Sequence, residues 1–144
     1  MLSQTSEYAL RAAVILAGEP QKPLTTQQVA DAGKIPLDYL SKVLQLLARG
    51  GLVSATRGKG GGFVLTRPAA QISVLEVVNA VDPIQRIRSC PLHLAAHRHQ
   101  LCPLHRKLDQ ALEQVEQAFA SSALSDLVEV PAPVPCPVVE IAHA

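Results

Sequence analysis

Apolar and polar positions along the chain fall into a series of short periodic segments. Residues 4–17 (QTSEYALRAAVILA) are rich in good helix formers, and Tyr8, Ala12, Ile15 and Leu16 recur at helical spacing. A largely buried first helix is expected, stopped at Gly18-Glu19-Pro20. Thr25 with Gln28 three residues later has the form of a capping box, with Val29 and Ala30 as the inward face of a short second helix ending at Gly33. Pro36 suits a first helical position and Asp38 suits the positive helix end. Leu37, Leu40, Val43, Leu44 and Leu47 then form one stripe, so a third helix is predicted from Pro36 to Arg49 with that stripe turned inward.

Gly50-Gly51 breaks the helical pattern, and Leu52-Val53-Ser54 and Gly62-Phe63-Val64-Leu65-Thr66 read as two strands. The basic, glycine-rich stretch between them makes a hairpin. Three helices, a tight glycine-containing turn between the second and third, and a hairpin spell a winged helix-turn-helix. Ser73 would cap a fourth helix over 74–81, closed by Asp82-Pro83. From Pro103 a helical stripe returns with Leu104, Leu108, Leu112, Val115 and Phe119, too narrow to be a core by itself, so it calls for a partner helix. The expected fold is mostly α with a small β-hairpin: a winged helix-turn-helix domain plus a long C-terminal dimerisation helix. Its expected divisions are a DNA-binding domain (1–82), a sensing loop (83–103), the dimerisation helix (104–128) and a proline-rich tail (129–144).

Composition changes this picture little. The 144 residues are 48% hydrophobic and 17% charged, enough for a packed core, and with only four aromatic side chains that core must be aliphatic. The apolar run from Ala12 to Gly18 is far short of the roughly 20 residues of a membrane span, so no membrane partner and a cytoplasmic location are expected. Three cysteines cannot close a complete disulfide framework within one chain, which favours a thiol or metal role.

Charge adds more. Residues 1–70 hold eight Lys/Arg against four acids, whereas 71–144 hold five against eight, so a net charge of +1 hides a basic first half. Within 34–67 six bases accompany a single acid, Asp38. Such a surface attracts phosphates, and the partner implied is double-stranded DNA, with a near-palindromic operator expected where two chains pair through the C-terminal helix. Asp38, Tyr39, Ser41, Lys42 and Gln45 on the third helix, with Thr26 and Gln28 at the start of the second, are the candidate contacts. Arg57 and Lys59 on the wing would reach the adjacent groove. The bland alternative is a solvated basic face on a winged helix used for protein contacts.

A second constellation is Cys90-Pro91-Leu92-His93 and Cys102-Pro103-Leu104-His105, the same four residues twice at an interval of twelve. Proline at a first helical position makes each cysteine a helix cap, where the dipole stabilises thiolate, with a histidine three residues on upon the same face.

With these residues in hand, the chain resembles the Rrf-two family of bacterial winged-helix transcription regulators over roughly residues 1–128. The resemblance is carried by SEYALRAAVILA, by IPLDYLSKVLQLLARGGLVSATRGKGGGFVLTR and by ISVLEVVNAVD. It implies a homodimer crossed through the long C-terminal helix and, in many members, an iron-sulfur cluster that controls DNA binding. Members with a cluster place three cysteines in this segment and some add a histidine. Cys90, Cys102 and His105 fit that pattern, while the middle position falls at Ala95 or Ala96. The resemblance also places Glu7 where some relatives supply a carboxylate from helix one of the partner subunit. Read plainly, Glu7 is an acid that favours the first turn of a helix.

Three readings of the segment stay open: a 2Fe-2S iron-sulfur cluster with mixed Cys, His and Glu ligands, a zinc site of Cys90, His93, Cys102 and His105, and a metal-free thiol pair. No enzyme is expected. Gly58–Gly62 has phosphate-binding composition but lies between strands, without the helix N-terminus such loops use.

Overall fold

The structure is a computed structural model that describes residues 2–89 and 101–128. Its elements run α1 (Gln4–Gly18), α2 (Thr26–Gly33), α3 (Leu37–Arg49), β1 (Val53–Thr56), β2 (Gly62–Leu65), a 3-10 turn (Ala69–Gln71), α4 (Val74–Val81), α5 (Pro103–Ala120) and α6 (Leu124–Val128). Local chemistry accounts for most boundaries. Thr25 and Gln28 form the full capping box at α2, and Ser73 and Glu76 do the same at α4, each satisfying two orphan N–H groups. Lys34, in the left-handed region at φ 52°, closes α2 and turns the chain into α3.

Helix α1 is the central element, packed on α2, α3, α4, α6 and β2. Its buried face is Ser6, Ala9, Ala12, Ala13, Leu16 and Ala17, while Tyr8 and Ile15 lie half-buried at its edges. The predicted stripe is thus rotated, because small alanines let several neighbours approach one helix at once. Much of the larger side-chain bulk of the core comes from α3, where Leu40, Val43, Leu44 and Leu47 are essentially inaccessible. Leu37 departs from the expected inward stripe and is 42% exposed, because at the first position of α3 it lies beyond the reach of the core.

The antiparallel hairpin pairs Val53 with Leu65 through Thr56 with Gly62. The first strand starts one residue later than expected and runs to Thr56, with Leu52 spent as a buried anchor ahead of it. Leu24 adds an isolated bridge to Phe63 on the other side of β2, which clamps the wing to the segment before α2.

The expected single helix over 104–128 is two. Helix α5 ends at Ala120, Ser121 and Ser122 each bond back to the Ala118 carbonyl, and the Asp126 carboxylate accepts the Ala123 N–H at the start of α6. The break turns Leu124 into the core, fully buried, and bridges Ala123 to Ser73. The expected tail lies outside the described residues.

Candidate nucleic-acid interface and metal-ligand segment

Burial of the leucine face of α3 dictates what its other face presents. Asp38, Ser41, Lys42 and Gln45 are all exposed. Tyr39 is different: it is half-buried, its hydroxyl pairs with that of Thr5, and its ring meets Tyr8 edge-on with centroids 5.3 Å apart. Its role in the geometry is to brace α3 against α1. Arg11, stacked on the same Tyr8 ring, donates to the Gly33 carbonyl at 2.9 Å and so satisfies the end of α2 beside the turn. On α2 itself Thr26 is half-buried, and Gln28 spends its side-chain oxygen on the Thr25 N–H at 2.9 Å. Arg57 and Lys59 stand exposed on the loop between β1 and β2.

The metal-ligand candidates are brought together only in part. Cys102 caps α5: its sulfur accepts the His105 N–H at 3.5 Å and lies 3.0 Å from His105 Nδ1, both residues half-buried. Cys90 and His93 lie outside the described residues. Glu7 is exposed in the first turn of α1. Among the described residues no three potential ligands converge.

The Cys102–His105 pair nonetheless fits a metal. A tetrahedral ion with thiolate and imidazole ligands sets them about 3.5 Å apart, so this pair would open by only about 0.5 Å to share one.

Next to it lies a feature that reading the sequence missed. Arg86, in the segment after α4, forms a bidentate pair with Asp109 at 2.7 Å on each arm, bonds Glu116 at 3.0 Å and stands 3.8 Å from Glu113. Asp109 also accepts the Ile87 N–H at 2.9 Å. The guanidinium, and then the Ile87 N–H, pull the Asp109 carboxyl down to about 2, and Asp109 in turn raises the Arg86 pKa. Asp109, Glu113 and Glu116 share one face of α5 at helical spacing, which is legible, but nothing local points to Arg86 as their partner. The clasp ties the chain just before the ligand segment to the helix just after it.

The proposed dimer stripe divides. Leu104 and Leu108 are 64% and 46% exposed, whereas Leu112, Val115 and Phe119 are half-buried. The last three line an apolar cavity of about 490 Å³ with Val78, Ile84 and Leu2.

A winged helix-turn-helix with a basic wing and a separate C-terminal helix narrows the choice of family, and comparison decides it. The family model Rrf2, described as an iron-dependent transcriptional regulator, matches residues 2–130. The chain belongs to the Rrf2 family. The fold agrees with solved structures: CymR (YrzC), the global cysteine regulator of B. subtilis, superposes with a TM-score of 0.74 at 23% identity, covering 89% of this chain and 95% of that one. T. potens IscR gives 0.73 at 19% identity, covering 89% and 85%, and an oxidized form of Staphylococcus aureus CymR gives 0.72 at 22%, covering 92% and 99%. This Rrf2 protein is thus a winged-helix transcriptional regulator. Among the described residues no helix is long and apolar enough to cross a membrane.

Proposed function

We propose that this Rrf2 protein is a homodimeric, cytoplasmic DNA-binding regulator whose affinity for a near-palindromic duplex is controlled by an iron-sulfur cluster of the 2Fe-2S type. The observation that carries the cluster is the Cys102–His105 pair at the start of α5, a soft and a borderline donor 3.0 Å apart in a segment that also contains Cys90. Cys90, Cys102 and His105 would hold the cluster, with Glu7 of the partner subunit as a further ligand. When bound, the cluster supplies a redox- and ligand-sensitive group. The protein's own contribution is mechanical: Cys102 begins α5, and Arg86 fastens the segment entering the site to the same helix, so a shift at the ligands bears directly on α5 and on the spacing of the two DNA-reading heads. Exposed Leu104 and Leu108 supply the apolar seam for a second copy of α5.

A second reading rests on the same sulfur. Cys102, a half-buried thiol at the start of α5 that accepts the His105 N–H, suits equally a thiol-based regulator without a cluster, or a zinc site completed by His93. Anaerobic purification with iron, sulfide and zinc assays and a visible spectrum separates the three. The cluster reading expects coloured protein, loss of colour in Cys90→Ala and Cys102→Ala, altered colour in His105→Ala, a looser cluster in Glu7→Ala and colour retained in His93→Ala. One zinc per colourless chain establishes the zinc site, and no metal after anaerobic reconstitution establishes the thiol reading.

A further inference from the structure

The outward face of α3 carries one exposed large apolar side chain, at its first residue. Leu37 is 42% exposed and stands in one row with Ser41 and Gln45, four and eight residues on. Its position is held rather than loose. Pro36 leads into the helix with extended backbone, the Leu40 N–H bonds the Pro36 carbonyl at 2.9 Å, and the Ser41 hydroxyl bonds the Leu37 carbonyl at 3.1 Å. One and two turns on, Leu40 and Leu44 lock the helix into the core.

In a helix-turn-helix the first residues of this helix are the ones that meet base edges, and the major groove offers one apolar feature there, the C5-methyl of thymine. We infer that Leu37 reads sequence: in the complex its side chain covers a thymine methyl, while Asp38 beside it accepts from an exocyclic amine and Lys42 holds phosphate. This rests on the DNA-binding reading and goes past it, since it assigns base discrimination to an apolar residue whose periodicity marks it as core. The physical case is area: an exposed leucine gains by leaving water only where the surface that covers it is itself apolar, and the methyl is that surface.

The test uses the full chain and duplexes it selects from a randomised pool. Each thymine of the selected site is replaced in turn by deoxyuridine, which removes the methyl and leaves base pairing intact. One thymine in each half-site should weaken binding by about fourfold on losing its methyl, the effect of one buried methyl group. Leu37→Ala should bind the thymine and uracil duplexes equally at that position, and its melting temperature should stay close to that of the parent because the side chain lies outside the core. If no thymine is methyl-sensitive, or the sensitivity persists in Leu37→Ala, the assignment is overturned. The wild-type scan stands even if a variant folds poorly. Failure to select any duplex overturns the DNA-binding reading itself, a result distinct from selection without methyl sensitivity.

Discussion

Gly62 is a position where one added methyl group should damage the reading head. It lies in β2 at φ 154°, and an added Cβ would run into the Leu24 carbonyl oxygen and stand 2.5 Å from its carbon, both backbone atoms with nowhere to go. Relief requires parting Leu24 from Phe63, whose two reciprocal backbone bonds measure 2.7 and 3.1 Å. Losing both costs about 2 kcal/mol, and the disfavoured backbone conformation adds about 1–2 kcal/mol more. Gly51 provides the comparison: φ there is also positive, at 73°, but nothing lies within 4 Å of the added atom, so Gly51→Ala should cost the conformational part alone. Thermal melting by circular dichroism should therefore show Gly62→Ala about 10 °C or more below the parent and Gly51→Ala about 5 °C below. Because Leu24 clamps the wing that carries Arg57 and Lys59, Gly62→Ala should also weaken DNA binding at temperatures where the protein remains folded. Equal losses for the two variants would refute the claim that close approach, rather than backbone freedom, requires glycine at position 62.

Three further outcomes follow from the same geometry. Arg57→Ala and Lys59→Ala should weaken binding to all duplexes alike and flatten the salt dependence, by a slope of about 1 for each phosphate left without its cation, in titrations between 50 and 200 mM salt; an unchanged slope would free the wing of that role. Leu108→Asp should shift the sedimentation of the protein from dimer to monomer at micromolar concentration, and a parent that is already monomeric there would remove α5 as the seam. Asp109, held down to about 2 by Arg86, stays ionised in the folded chain below the usual carboxylate range, so its contribution is full above about pH 4 and is lost as pH falls towards 2. Asp109→Asn should accordingly lower the melting temperature at pH 7 by an amount that does not change between pH 6 and 8 and that shrinks towards pH 2; a difference that varies between pH 6 and 8 would place the clasp under another group's control.

What the chain determines by itself is whatever depends on neighbours a few residues away. The capping boxes at Thr25 and Ser73, the proline entry to α3, the leucine stripe at 40, 43, 44 and 47, the glycine-rich basic loop and the cysteine cap at 102 are short-range chemistry, and each is present in the structure. The tertiary structure decides what depends on reach and burial. Leu37 matches its helix's apolar period yet lies beyond the core, since periodicity gives direction around a helix and not where the core stops along it. Tyr39 has an outward-facing sequence context, but Thr5 and Tyr8, some thirty residues earlier, occupy it. The break at Ser121-Ser122 follows from the gain of burying Leu124 against α1, a neighbour more than a hundred residues distant in sequence. Arg86 and Asp109 carry no mutual signal across 23 positions, and only folding places the guanidinium against α5, where it joins the ligand segment to the helix that follows.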